Sequence, residues 1–169
     1  MPNPPPVPKY CNCNAANKDN CPLEGFCNIH PDGRPVKDVV YSAKVTPCDD
    51  DCEPLNDPLI PVETYGGSTF QQFKKRWYGH NADMNNPAKK HATTLSKHVW
   101  NLKDQDINFF IKWKILAFAK PFASESLICR LCLEEIWHIM NNPEDTTLNK
   151  RDEFYNYCKH KISLLFNKP

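Results

Sequence analysis

The apolar period of this chain changes once, near Thr69, and that change limits its possible folds more than any other feature. Before it, Val39-Val40-Tyr41-Ser42-Ala43-Lys44-Val45 is a β-branched and aromatic run with the composition of a strand. Val62-Glu63-Thr64-Tyr65 resumes that character, and Gly66-Gly67 reads as a tight turn that ends it. Residues 46–61 lie between, with four prolines and five acids, and read as a loop. After the change, Phe70, Phe73, Trp77 and His80 recur at helical spacing, with Ser68 or Thr69 placed to cap the start. Leu95, Val99 and Leu102 share one face of a second helix over 93–103, which Pro87 precedes. Residues 109–117 alternate as a third strand. Ser124 opens a third helix carrying Leu127, Leu131, Ile136, Ile139 and Met140, and Pro143 lies just past its end. Residues 149–165 read as a fourth, with Phe154, Tyr157, Ile162 and Leu165. This order predicts an α+β chain, a small sandwich whose central antiparallel sheet is flanked by helices.

The N-terminal part follows other rules. Residues 1–9 are proline-rich and read as an extended lead. They contain neither a basic n-region nor an apolar h-region, so no signal peptide is expected. Residues 10–35 are rich in Cys, Asn, Gly and Pro, and such a stretch needs a staple to fold. The expected division is therefore a lead over 1–9, a cysteine-rich segment over 10–35 and a main domain over 36–169. Apolar runs are only a few residues long, which predicts no membrane span.

Charge divides the chain as well. Residues 1–65 carry five Lys/Arg and ten Asp/Glu, whereas residues 66–169 carry sixteen and ten. The near-neutral total thus hides an acidic first part and a basic second part. A basic half suits a polyanion, because Lys and Arg displace counterions from a phosphate backbone. It also suits an ordinary solvated surface.

Nine cysteines without a secretion signal favour thiols and metal over disulfides. Cys11, Cys13, Cys21 and Cys27 fall within 17 residues of loop-like sequence. A four-thiolate zinc site would explain how that stretch folds, and a pair of disulfide-bonded loops is the other reading. Cys129 and Cys132 open a helix, and Cys158 and His160 lie on the next. Those four suit a tetrahedral zinc ion stapling two helices, and they equally suit buried thiols with a surface imidazole. Cys48 and Cys52 bracket three aspartates and are left to complete a site with His91 or His98, or to be loop thiols.

One set of residues reads as phosphodiester chemistry. Tyr41 and Tyr65 come together if their strands pair. Arg76 and His80 share a helical face, and Glu134 and Glu135 lie on a later helix. A guanidinium can hold a phosphate, a carboxylate can hold Mg²⁺, and a phenol or imidazole can move a proton. Taken singly, each has an ordinary structural use as a core tyrosine or a solvated surface group.

In order along the chain, these residues resemble the GIY-YIG endonuclease family. Val39-Val40-Tyr41 stands at its first motif and Tyr65-Gly66-Gly67 at its second. Arg76 in FKKRWYGH matches the family's arginine, with His80 one turn on, and Glu135 best fits its metal-binding glutamate, ahead of Asn149. The strings CNC, CPLEGFC, VVYSAKV, FKKRWYGH, TTLSKHVWNLKD, IKWKIL, CRLCLEE, LNKR and CKHK are more specifically similar to the endonuclease domain of Penelope-like retroelements, over about residues 10–165.

The resemblance implies a metal-dependent nuclease that nicks one DNA strand to leave a 3′-hydroxyl and a 5′-phosphate. It implies a role in priming reverse transcription in the nucleus, with the element's reverse transcriptase and its RNA template as partners. Tyr41 would be the general base, helped by His80, with Arg76 as the cation that brings its pKa down. Tyr65 would position phosphate or water, and Glu135 would hold Mg²⁺ or Mn²⁺. Cys-His zinc binding is also a feature of that family, which adds to the structural-zinc reading of both cysteine sets. Lys74, Lys75, Lys89 and Lys90 are the expected backbone contacts, with Lys112 and Lys114 as weaker ones. Two other readings stand beside this one. The first is a zinc-dependent nucleic-acid-binding module with an inactive nuclease fold, and the second is a secreted disulfide-rich protein.

Overall fold

The computed structural model describes residues 21, 23–120 and 129–149. The expected lead over 1–9, Cys11, Cys13, Ser124, Leu127, the helix expected beyond Asn149, Cys158 and His160 lie outside the described residues.

Strands β1 (Val39–Cys48), β2 (Glu63–Thr69) and β3 (Asn108–Phe118) form one antiparallel sheet in the order β2-β1-β3. Helices α1 (Phe73–Asn85) and α2 (Thr94–Asp104) follow β2, and α3 (Arg130–Asn141) follows β3. β1 takes the centre because its residues suit burial on both faces, and only Lys44 within it is exposed. Side chains alternate across a strand. Val39, Tyr41, Ala43 and Val45 accordingly pack with Phe73, Trp77, Leu95 and Val99 of α1 and α2. Val40 points the other way and packs with Cys129 and Leu131, at the start of α3. The sheet thus lies between two helical layers, as the α+β reading expected.

Several boundaries differ from the sequence expectation. β1 runs on through Thr46, Pro47 and Cys48. Pro47 is tolerated because pairing with β2 has already ended at Val45; on that side, among the described residues, it is met only by an isolated bridge, in which its carbonyl accepts from the Leu55 amide and no donor is required of it. Gly66-Gly67 is not a turn, since β2 continues through both to Thr69. Helix α1 therefore starts later than expected. Ser68 and Thr69 are still paired with Val40 and Val39, and Thr69 Oγ1 accepts from the Gln71 amide instead of capping a helix. The buried face of α1 is Phe73, Trp77, His80 and Met84, and Phe70 is 55% exposed. Helix α2 falls where expected, with the Thr93 side chain accepting from the Ser96 amide at 3.0 Å. On α3, Leu131 and Ile139 are buried, whereas Met140 lies outward.

The outer edge of β2 is closed by the segment after α3. Thr147 Oγ1 accepts from the Thr64 amide at 2.7 Å, and the Leu148 amide donates to the Thr64 carbonyl at 2.9 Å. Asn149 then pairs with both backbone groups of Gly66, at 2.7 and 2.8 Å. A short stretch of chain so imitates a fourth strand and leaves those edge groups satisfied.

Candidate active site

Tyr41 leaves the middle of the central strand toward α1 and is fully buried. Its hydroxyl lies 2.7 Å from His80 Nε2 and accepts from Arg76 Nε at 3.0 Å. Arg76 and His80 reach one oxygen because residues four apart on a helix lie on the same face. A guanidinium only donates, so the Tyr41 hydroxyl is free to give its proton to His80 Nε2 when the imidazole carries its own proton on Nδ1. Tyr65 stands two residues from the register partner of Tyr41, on the same face of the sheet, and its ring is 5.7 Å from that of His80. Phe73 and Trp113 complete an aromatic wall, with centroids 5.3 and 5.9 Å from the Tyr41 ring. A β-bulge interrupts the β1–β3 ladder between Val40 and Tyr41, at the residue that carries the site.

Burial sets the protonation states. It pushes the Tyr41 phenol well above the ordinary tyrosine range, and the neighbouring Tyr65 adds to this. Arg76 pulls the other way without reversing the shift, and the Glu135 charge raises it slightly further. Burial, then the Arg76 charge, holds the His80 imidazole down at about 3. Burial lowers Arg76 too, but its contacts with Tyr41 and Tyr65 outweigh that and raise it overall. At neutral pH the site is therefore a phenol between a neutral imidazole and a guanidinium. Arg76 stands where sequence reasoning wanted a cation, yet it does not bring Tyr41 toward neutrality, because desolvation is the larger effect.

Two glycines make the geometry possible. A Cβ on Gly67 would lie 2.7 Å from the Tyr41 hydroxyl and 2.8 Å from its Cζ. A Cβ on Gly66 would lie 2.7 Å from Thr146 Cγ2, where the segment before Asn149 crosses the strand. The pair allows close approach on both sides of β2 and has no turn to make.

Glu135 belongs to the other helical layer. It accepts from Ser68 Oγ at 2.6 Å, and Ser68 pairs with Val40, next to Tyr41. The carboxylate thus approaches the tyrosines around β2, near enough for its charge to act on Tyr41. Among the described residues, no three His, Cys, Asp or Glu side chains gather as a metal-binding group. Glu135 fits a magnesium ion of the kind bound through one carboxylate, with water and substrate phosphate supplying the other oxygens. Glu134 is half-buried on the preceding position of α3.

The remaining expected ligands are partly described. Cys21 and Cys27 are hydrogen-bonded to each other, and burial, then Cys21, pushes the Cys27 thiol up to about 12. Cys129 is the N-cap residue of α3 and Cys132 lies in its first turn, the placement expected for that pair. Cys48 and Cys52 are free thiols, hydrogen-bonded to one another, and among the described residues no metal-binding group joins them to His91 or His98, so that expected site is not assembled. Cys48 is held in the sheet beside Asn108, whereas the two histidines lie at α2 and the turn before it. The lysines expected to contact a DNA backbone fall at two places on the fold. Lys74 and Lys75 begin α1, and Lys89 and Lys90 follow its end, about 20 Å further along a helix of 13 residues. Lys74 lies near the Cys27 thiol, and Lys90 is bonded to Asp104.

Gly67, Ser68 and Trp113 join the site without having been singled out as site residues. The Gly66-Gly67 pair was the available signal for the first, because paired glycines in a strand mark close approach. Ser68 and Trp113 carry no local signal, since their roles come from sheet register. No protein-family model, no curated protein and no solved structure was found to match this chain.

Proposed function

We propose that this chain is a metal-dependent DNA endonuclease that hydrolyses one phosphodiester bond, leaving a 3′-hydroxyl and a 5′-phosphate. The observation that carries the reading is the shared contact of Arg76 and His80 on the Tyr41 hydroxyl, beside Tyr65 and within reach of the Glu135 charge. A buried phenol, guanidinium and imidazole on one oxygen form a costly arrangement for a merely structural core, and such perturbed groups favour a functional site.

In this reading Arg76 turns from Tyr41 to the scissile phosphate, as a planar cation suited to phosphate oxygens. That movement frees a lone pair on the Tyr41 hydroxyl. The hydroxyl then takes a proton from the attacking water while its own proton passes to His80 Nε2. The phosphate's negative charge favours the imidazolium that results. Tyr65, which is half-buried, positions phosphate or water. Glu135 would hold Mg²⁺, which would supply neutralisation of the charge that develops on the phosphate and leaving group. Ser68 fixes the carboxylate by its hydrogen bond.

The resemblance to Penelope-like retroelements extends the proposal. The 3′-hydroxyl would prime reverse transcription by a transcriptase of the same element on its RNA template. Zinc held by Cys11, Cys13, Cys21 and Cys27, and by Cys129, Cys132, Cys158 and His160, belongs to the same proposal. The hydrogen-bonded Cys21–Cys27 pair supports it by bringing two of one set together. The test is supercoiled plasmid with Mg²⁺, using wild type and Glu135→Ala side by side. The expected result is nicked circles from wild type alone, and equal nicking by both would remove Glu135 from the mechanism. No nicking by a folded, zinc-loaded wild type would leave the nucleic-acid-binding module as the reading.

A further inference from the structure

The sheet has a second face, away from α1 and α2. At one end of it Val40 and Leu116 meet Cys129 and Leu131, and Ser68 reaches Glu135. Further along, the same face carries lysines. Ala43, Val45, Ile111, Trp113 and Ile115 pack on the α1–α2 side, so the alternation of a strand puts Lys44, Lys112 and Lys114 on the other. All three are exposed. Lys44 is the register partner of Lys112, and Lys114 is the partner of Ser42, one step nearer to Val40. Directly opposed side chains start about 5 Å apart, and like charges so placed destabilise a sheet. No carboxylate relieves them, since none of the three makes an ion pair among the described residues. Asp50, at the far end of β3, accepts from Asn108 at 3.0 Å instead. Lys112 Nζ lies 5.5 Å from the Phe110 ring, which steadies that ammonium without neutralising it. Cations set against one another in the middle of a sheet gain from an anion that bridges them.

The row leads to the candidate active site. Lys44 is four strand residues from Val40, about 13 Å, and Val40 pairs with Ser68, the residue that holds Glu135. A DNA duplex carries one charge per about 1.7 Å of axis, so several phosphates fall within that span. Lys112 and Lys114 are among the weaker contacts expected from sequence, and the register adds Lys44 and gathers the three.

We propose that Lys44, Lys112 and Lys114 bind the phosphate backbone of a DNA duplex along this face of the sheet, a few phosphates from the bond cut beside Glu135. An unpaired strand is held by stacking its bases on aromatic side chains. The aromatic ring in this row, Phe110, lies with Lys112, so the face offers charge in place of stacking. That the polyanion is DNA rests on the nuclease reading above, whereas the anion site stands on the lysines alone.

The test is fluorescence anisotropy of a labelled DNA duplex in EDTA, so that cutting plays no part. Lys44→Gln combined with Lys112→Gln is expected to weaken binding about tenfold or more and to flatten the dependence of log K on log salt by about 1.8, or about 0.9 for each phosphate released. Lys37→Gln combined with Lys97→Gln removes the same charge from two exposed lysines outside the row and should stay within about twofold of wild type. Melts of the first pair should match or exceed wild type, because the opposed charges are gone, and this separates lost contact from lost fold. Lys114→Gln should take about 0.9 from the slope by itself, and it keeps the test decisive if the double variant does not fold. Equal losses from the two pairs would overturn the proposal. So would a wild type that fails to bind the duplex, or one whose Lys44 and Lys112 dependence is seen only with phosphatidylserine vesicles. An unpaired strand bound more tightly, with the same lysine dependence, would overturn the duplex assignment. Absence of nicking with the lysine dependence intact would refute the nuclease reading alone.

Discussion

Replacing Gly67 by alanine isolates the contact on which the site is built. Gly67 does not have the positive φ that would make alanine strained, so the cost is steric. The added Cβ would lie 2.7 Å from the Tyr41 hydroxyl, and ordinary contact begins near 3.4 Å. The phenol must therefore withdraw by about 0.7 Å. It is fully buried, and Phe73 and Trp113 are against its ring. Overpacking of this kind costs about 1–3 kcal/mol. Against it stands the gain from a stiffer unfolded chain, about 0.4–1 kcal/mol. The net is a loss of roughly 1–2 kcal/mol, which lowers Tm by about 2–8 °C in a chain of this size. The same displacement strains the 2.7 Å bond to His80 and the 3.0 Å bond from Arg76, so nicking should fall more than stability does. Gly79→Ala is the internal control. It lies exposed within α1, with nothing within 4 Å of its would-be Cβ, and should gain up to about 1 kcal/mol. Thermal melts of the two variants check this, and a Gly67→Ala melt raised like that of Gly79→Ala would refute the reasoning.

Three other outcomes are expected. Tyr41→Phe leaves His80 Nε2 buried without its partner and should cost about 1–3 kcal/mol in urea unfolding, with nicking abolished; unchanged stability would show that the bond is replaced. His80 takes a proton near 6.5 when unfolded but only near about 3 when folded, so between those values the unfolded chain binds more protons. Stability should be complete above pH 6.5 and fall on acidification toward pH 3, by up to about 1.4 kcal/mol per pH unit, and a His80→Gln profile of the same slope would refute the assignment. Asn149→Ala removes both bonds to Gly66 and should cost about 1–2 kcal/mol, with faster amide exchange at Gly66; unchanged exchange would mean that the edge is held by Thr147 and Leu148 alone.

Much of the sheet and of the Tyr41, Arg76 and His80 grouping was legible because it rests on local pattern. The β-branched run around Tyr41 is a strand whatever lies beside it, and the spacing of Arg76 and His80 puts both on one turn. Local pattern failed where partners decide. Gly66-Gly67 carries a strong turn signal, yet the pair stays in the strand because Tyr41 and Thr146 need the space. Ser68 and Thr69 are good capping residues, yet the ladder with Val40 and Val39 claims them first. The protonation of Tyr41 was misjudged for a related reason. Sequence places Arg76 beside it, but the depth of burial that outweighs Arg76 arises only from the packed fold.

The central position of β1 has a consequence for how the chain assembles. Its pairing with β3 joins residues 60 to 79 positions apart, from Cys48↔Asn108 to Val39↔Phe118. Such long separations slow folding, because a long loop must close before the contacts form. Until residue 118 has been made, one edge of the tyrosine-bearing strand has no partner and can pair with other chains. Tyr41, Arg76 and His80 all lie within the first half of the chain, whereas Trp113 and Glu135 arrive later. A growing chain thus carries the phenol, guanidinium and imidazole well before it carries the wall that buries them, and the site is complete only when the last strand and helix dock.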